Sequence, residues 1–320
     1  MTVKQKILWM VIGAVLAGVL ICSSCAPWFV LAAAVGGTEM SPSISAGPAV
    51  GIVRVEGIII SGSPPANPFG AQAGGAYSGA IVDHLRRAES DPDVKAVVMR
   101  VVSPGGSVVA SDEIHEQMVA MSKPVVVSMG EMAASGGYYV SAPASEIYAN
   151  QGTLTGSIGV ISQFFDLSGL FEEYGIAATI IKSGTYKDGG SIFRPMTDEE
   201  EAMWQEIIDE VYEGFVGVVA DGREMSIDEV KTLADGRVYT GQQAKELGLV
   251  DELGNLPDVI ERAAQLGGID GEPRIVEYYE PLDLFESLFT LMHPADPLAV
   301  VLGLLDGRQA PVLQYLYVGP

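Results

Sequence analysis

The sequence predicts an α/β body built on buried, largely parallel strands, and two observations carry that prediction. Short apolar runs rich in β-branched residues (Ala49 to Ile60, Val94 to Val102, Pro124 to Gly130) alternate with stretches of helical spacing such as Ile81, Leu85 and Ala88. The strand runs are apolar nearly throughout, as strands covered on both faces must be. At 320 residues, 48% hydrophobic and with 38 glycines, the chain suffices for one large or two modest domains with a real core.

Composition removes several functions. A net charge of −23 argues against general nucleic-acid binding, which needs clustered Lys and Arg to neutralise phosphate. Both cysteines, Cys22 and Cys25, lie in the apolar N-terminal stretch, so the remainder has no disulfide, thiolate nucleophile or cysteine metal site. The three histidines, His84, His115 and His293, show no HExxH spacing and give a His-centred catalytic or zinc site little to draw on.

No charged residue interrupts Ile7 to Gly37, and Lys4 and Lys6 precede it. Ile7 to about Trp28 is long enough for a membrane-spanning helix, which needs about 20 apolar residues. The positive flank sets the N-terminus inside and the body outside. Residues 1–37 are therefore expected to be a transmembrane anchor; a signal peptide cut near Ala32-Ala33-Ala34 is the competing reading, against which the length of the apolar stretch counts. Residues 38–48, with Ser41, Pro42, Ser43, Ser45, Gly47 and Pro48, read as a linker.

The body then proceeds by alternation. A strand over Ala49 to Ile60 is followed by a Gly/Pro/Ser-rich loop to Tyr77, a helix from Ser78 to Glu89 and a strand from Val94 to Val102. Ser103-Pro104-Gly105-Gly106-Ser107 leads into a helix with Ala110, Ile114, Met118 and Met121 on one face. Consecutive glycines between strand and helix free backbone N–H groups to face a ligand, as an oxyanion hole requires, although a plain tight turn has the same pattern. The strand Pro124 to Gly130 delivers Met132-Ala133-Ala134-Ser135-Gly136-Gly137-Tyr138-Tyr139, with Ser135 at a helix start among small residues. Such a serine is a nucleophile candidate beside helix N–H groups, or simply a helix cap.

Glycines at 152, 156 and 159 suggest a close-packed segment around Ser157 after a short strand over Ile147 to Asn150. Leu167 to Tyr174 reads as a helix and Ile176 to Ile181 as a strand. That strand delivers Lys182-Ser183-Gly184-Thr185-Tyr186-Lys187-Asp188-Gly189-Gly190. Two lysines in a Gly-rich loop are either solvated or include a general base, which must be neutral to act. From Thr197 the chain turns helical, with capping pairs Thr197/Glu200, Ser226/Glu229 and Thr240/Gln243. Met203, Ile207, Val211, Phe215 and Val218 form the core face of the first of these helices, and Asn255 to Leu266 is the last. Beyond residue 267 the chain reads as an apolar tail without a segment of spanning length.

These motifs, in this order, resemble the bacterial signal peptide peptidase A family over about Val50 to Leu266. The matching residues are Ser103-Pro104-Gly105-Gly106, Met129-Gly130 to Tyr139, Leu154-Thr155-Gly156-Ser157-Ile158-Gly159-Val160, and Lys182-Ser183-Gly184 with Lys187-Asp188. Tyr212-Glu213-Gly214-Phe215 and Asp235-Gly236-Arg237-Val238-Tyr239 continue the match. The resemblance implies a ClpP/crotonase-like repeated β-β-α body over residues 49–267, with appended C-terminal helices and the tail 268–320. It implies a serine endopeptidase with Ser135 as nucleophile and Lys187 as general base. Gly106 would be an oxyanion donor, Gly136 a second donor, and Ser157 the side chain that orients the lysine. No metal or cofactor is implied.

By the same resemblance the protein forms a ring-shaped homo-oligomer in which Ser135 of one subunit meets Lys187 of the next. It would sit as a single-pass protein of the bacterial cytoplasmic membrane, its catalytic body extracytoplasmic, and degrade signal peptides left after secretion. Lys182 matches a lysine not used as the base, and Val102 and the tail depart from the family pattern. The competing readings are a related membrane serine peptidase with another substrate, a crotonase-like acyl-CoA enzyme, and a catalytically silent peptide-binding scaffold.

Overall fold

A computed structural model describes residues 47–64, 75–278 and 314–316. The expected anchor, the linker up to Ala46 and most of the tail lie outside the described residues. Among the described residues no helix is long and apolar enough to cross a membrane.

The body is a mixed α/β structure around one mostly parallel sheet. Its central strands are β1 (Ala49–Glu56), β4 (Val94–Ser103) and β6 (Val125–Ala134). They pair in parallel in the order β1-β4-β6, with Val53 opposite Met99 and Met99 opposite Val127. Parallel β7 (Glu146–Ala149) and β10 (Glu252–Leu253) extend one edge, and parallel β11 (Arg274–Glu277) closes the other beside β1.

Alternation within each strand explains the continuous apolar runs. Val50, Ile52, Ala96, Val98 and Val126 face one side and pack against Val259, Ala263 and Ala264 of helix α8 (Leu256–Leu266). Val53, Val55, Val97, Met99, Val101, Val127 and Met129 face the other side, covered by α1 (Ser78–Ser90), α2 (Val108–Val119) and α3 (Gly136–Ser141). Both faces are dry, so neither set of positions tolerates a polar residue.

The predicted strand over Ala49 to Ile60 is two strands. Gly57, at φ +88°, breaks it and sends β2 (Ile58–Ile60) into a second, smaller sheet. That sheet has the order β12-β5-β2-β3, with β3 (Gly75–Tyr77), β5 (Gly105–Ser107) and β12 (Gln314–Leu316). β2 runs parallel to β3 and β5, whereas β12 is antiparallel to β5. The body therefore takes in chain well past residue 267.

β8 (Leu154–Gly156) pairs in parallel with the end of β6 and antiparallel with β9 (Val238–Thr240). The helical part follows the capping pairs read from sequence. α5 (Asp198–Arg223), α6 (Ile227–Leu233) and α7 (Gly241–Glu246) each begin with a reciprocal capping box at Thr197/Glu200, Ser226/Glu229 and Thr240/Gln243. Only the C-terminal half of α5 is in the core, through Phe215, Val216, Val219 and Ala220; Met203 and Ile207 are half-buried.

Residues 161–197 depart from the expectation. Helix α4 (Ser168–Glu173) is short, and the strand expected over Ile176 to Ile181 does not form: the segment is exposed and has no sheet partner among the described residues. Its β-branched sequence suits a pleated surface, but a strand needs a neighbour to satisfy its backbone groups, and the described residues provide none there.

Candidate active site

Ser135 follows β6 directly. Its backbone stands at φ +54°, ψ −118°, a region that costs a non-glycine residue about 1–3 kcal/mol. Three hydrogen bonds fix it there. The Ser135 N–H donates to the Gly156 carbonyl at 2.7 Å, and the Ser135 carbonyl accepts from the N–H groups of Tyr138 (2.8 Å) and Tyr139 (2.9 Å). The residue is 1% exposed, and its side chain does not cap α3. Among the described residues the hydroxyl makes no hydrogen bond to the helix, so the helix-cap reading of the side chain fails.

The diglycine turn lies against this serine. Ser103, fully buried, donates its hydroxyl to the Gly57 carbonyl (2.7 Å) and accepts from the Gly105 N–H (3.0 Å), which shapes the turn. Gly105 sits at φ +99°, and a Cβ there would lie 2.6 Å from the Gly136 nitrogen. A Cβ on Gly106 would lie 2.0 Å from the Ile59 carbonyl oxygen, and one on Gly136 would lie 3.1 Å from the Gly106 nitrogen. Only glycines allow this approach, and it brings the backbones of Gly106 and Gly136 together beside Ser135.

Ser157 arrives by the neighbouring strand. Ala133 is in register with Thr155 and Ala134 with Gly156, so the next residues, Ser135 and Ser157, emerge together from adjacent parallel strands spaced about 4.8 Å apart. Ser157 is itself at φ +50°, 8% exposed, and held by donation of its N–H to the Arg237 carbonyl at 2.8 Å.

Lys187 lies elsewhere, on a 3₁₀ turn over Thr185–Asp188. It is exposed, and its ammonium has no hydrogen bond or ion pair among the described residues. The single chain thus buries Ser135 and leaves Lys187 on the surface. Lys182 is engaged instead, with its ammonium 2.5 Å from Asp188 Oδ1. Arg194, which sequence reasoning passed over, bridges Asp188 and Glu200. The guanidinium of Arg194, with Lys182, holds the Asp188 carboxyl below the usual range; Arg194 and the Thr197 N–H lower that of Glu200 to about 2. The regular spacing of an acid, a base and an acid at 188, 194 and 200 was the available signal.

A second group missed at the sequence level is the chain's own strand along the diglycine turn. β12 runs antiparallel to β5, with Tyr315 opposite Gly106 and Leu316 opposite Gly105. Its other side is held by Ile161, which exchanges backbone hydrogen bonds with Gln314 at 3.1 and 3.2 Å. The Tyr315 ring, 2% exposed, stacks on Tyr139 (4.9 Å) and meets Phe215 (4.6 Å), and its hydroxyl donates to the Val211 carbonyl at 3.3 Å. Behind them His115 meets Tyr139 edge-on, and burial lowers its pKa. Among the described residues no cluster of three or more His, Cys, Asp or Glu side chains is placed to hold a metal ion.

A strained, buried serine at the end of a parallel strand, beside a diglycine turn, fits the class of serine hydrolases. Comparison with known proteins narrows the class. The profile of Peptidase family S49 matches residues 117–270, and that of Clp protease matches residues 70–149. A Synechocystis protein described as "Putative protease" is 44% identical over 203 residues, 63% of this chain and 73% of that one. A Methanocaldococcus jannaschii protein of the same description is 45% identical over 192 residues, 59% of this chain and 61% of its own. A protein described as "Putative signal peptide peptidase SppA" from Enterococcus faecium is 43% identical over 184 residues, 57% and 54% of the two chains. The chain belongs to peptidase family S49 and is a serine peptidase by that membership; it spans 54–73% of the length of these three relatives.

Proposed function

We propose that this protein is a membrane-anchored endopeptidase that uses Ser135 and Lys187 as a dyad on extended apolar peptides, residual signal peptides among them. The conformation of Ser135 carries the proposal. A buried serine held near φ +54° whose hydroxyl does not cap the helix has no structural purpose that a glycine would not serve at lower cost.

In this reading the substrate main chain adds to β5 as a strand, as the protein's own residues 314–316 do. The pocket that receives Tyr315, between Tyr139 and Phe215, would take an apolar or aromatic substrate side chain. Lys187 removes the proton from Ser135, and the alkoxide attacks the peptide carbonyl. The N–H groups of Gly106 and Gly136 receive the developing negative charge, a contribution of about 3–4 kcal/mol per donor in comparable sites. The lysine returns the proton to the leaving amine, and water then hydrolyses the acyl-enzyme.

The exposed position of Lys187 in one chain supports a dyad completed by a neighbouring subunit. The segment that carries it exposes Phe165, Tyr174, Ile176 and Ile181, and residues 176–181 pair with no strand among the described residues, features that suit a surface that meets another chain. A ring assembled through this arm would set Lys187 of one copy over Ser135 of the next and enclose the lysine from water. Ile7 to about Trp28 would anchor the ring at the extracytoplasmic face of the cytoplasmic membrane.

The test is cleavage of a fluorogenic apolar peptide by the purified protein. Ser135→Ala and Lys187→Ala should each abolish turnover, and mixing the two inactive variants should restore part of it. Covalent labelling of Ser135 by a serine-reactive phosphonate should be lost in Ser135→Ala. Full turnover by either single variant overturns the dyad.

A further inference from the structure

The loop before α5 spends four charged side chains on one another and leaves Lys187 out. The Arg194 guanidinium donates from Nε to Asp188 Oδ2 (3.1 Å), and from Nη2 to Asp188 Oδ1 (2.8 Å) and to the Asp188 carbonyl (3.2 Å). Its Nη1 donates to Glu200 Oε2 (2.8 Å) and to the Pro195 carbonyl (3.0 Å), and its Nη2 to Glu200 Oε1 (2.6 Å). Lys182 closes the group with donations to Asp188 Oδ1 (2.5 Å) and the Thr185 carbonyl (2.8 Å). The Glu200 side chain is 3% exposed and the Asp188 side chain 11%, unlike ordinary surface ion pairs.

Two consequences follow for the neighbouring lysine. Asp188 is the C-terminal residue of the turn that carries Lys187, so anchoring Asp188 to the first turn of α5 fixes the base of that turn. The Asp188 carboxylate is also occupied. A carboxylate free to pair with an adjacent ammonium favours its charged form, which a general base must lose. Two cations and two anions make the cluster neutral: Lys182 and Asp188 on the loop, Arg194 before α5, and Glu200 on it. Among the described residues no further charged side chain is bonded to it.

We infer that Arg194 is a positioning residue of the peptidase reaction: with Glu200 it sequesters the Asp188 carboxylate and fixes the turn, so that Lys187 meets the nucleophile without an acidic partner. The inference rests on the reading of Lys187 as the base.

The experiment measures kcat/KM against pH for the full chain with a fluorogenic apolar peptide. Arg194→Met leaves the cluster one charge more negative, and the acid limb of the profile should move up by about one pH unit, the size of effect a single near charge produces. Glu200→Gln leaves it one charge more positive, and the limb should move down. Arg194→Lys, which keeps the charge but not the two-sided clamp, should lower kcat with the limb in place. Equal loss at every pH in both charge-changing variants, with an unmoved limb, overturns the inference. Should Arg194→Met fail to fold, Asp188→Asn carries the test: a downward shift supports the inference and an unmoved limb refutes it. Lys187→Ala run in parallel separates the two claims. If it remains active, the assignment of the base fails; if it is inactive while no limb moves, only the role of Arg194 fails.

Discussion

Ser135 and Ser157 stand side by side, each one residue beyond a pair, Ala134 and Gly156, that is in register at the ends of adjacent parallel strands. Both have positive φ, at +54° and +50°. Two strained serines next to each other at the ends of adjacent strands are more than β-sheet geometry asks for, and in the proposed mechanism the adjacency makes Ser157 the hydrogen-bond partner of the incoming lysine. Ser157→Gly relaxes the backbone while removing the hydroxyl. It should leave the melting temperature unchanged or higher and lower kcat roughly tenfold, the effect of one hydrogen bond of about 1.4 kcal/mol. Unaltered kcat would remove Ser157 from the site.

Gly106→Ala tests the diglycine turn. The added Cβ would stand 2.0 Å from the Ile59 carbonyl oxygen, so backbone must move. The expected outcome is a loss of about 10²–10³ in kcat, as when one oxyanion donor is misplaced, together with a lower melting temperature. Gly169→Ala, with nothing within 4 Å of its added Cβ, is the matched control and should retain activity.

If substrate adds to β5 as proposed, it takes the edge that β12 holds, so removing residues 314–320 should act in opposite directions on stability and turnover. Loss of the buried Tyr315 ring costs about 1.5–3 kcal/mol, read as a lower melting temperature. The vacated edge of β5 should raise kcat/KM for a peptide substrate. A truncated protein that is less stable and no more active would show β12 to be structural only.

The exposed arm predicts self-association. Ile181 is 95% exposed and Tyr174 71%. Ile181→Asp should leave the chain folded, because the side chain touches little of its own body, and should lower both the mass measured by light scattering and the turnover. An unaltered mass would place the subunit interface elsewhere.

The clamp around Arg194 gives a pH dependence with a definite sign. Arg194 holds Glu200 at about 2 against an ordinary 4.5, and holds Asp188 low as well. Folded-state values below the unfolded ones mean that the contribution to stability is complete above about pH 4.5 and is lost as pH falls towards 2. Hydrogen exchange over residues 182–200 should therefore accelerate through that interval before the central strands do. Exchange rising in step across the body would contradict it.

The central strands were legible because burial on both faces leaves a continuous apolar run, and the capping boxes because they are local in sequence. Ser135 and the diglycine turn were legible as candidates, since small residues at a strand-to-helix junction have few purposes. Ile176 to Ile181 misled for a physical reason: its residues have the composition of a strand, but among the described residues no neighbouring strand pairs with it. The break at Gly57 was hidden inside what read as one run, because φ is not a property of composition.

What the sequence by itself determined is a set of local preferences: which runs bury both faces, where helices begin, and which turns need glycine. Only the tertiary structure decided that Ser157 stands beside Ser135, that Arg194 joins Asp188 to Glu200, and that residue 315 lies along residue 106. Each of these meetings is fixed by strand register or by a side chain reaching across a loop, and neither distance can be read from spacing along the chain.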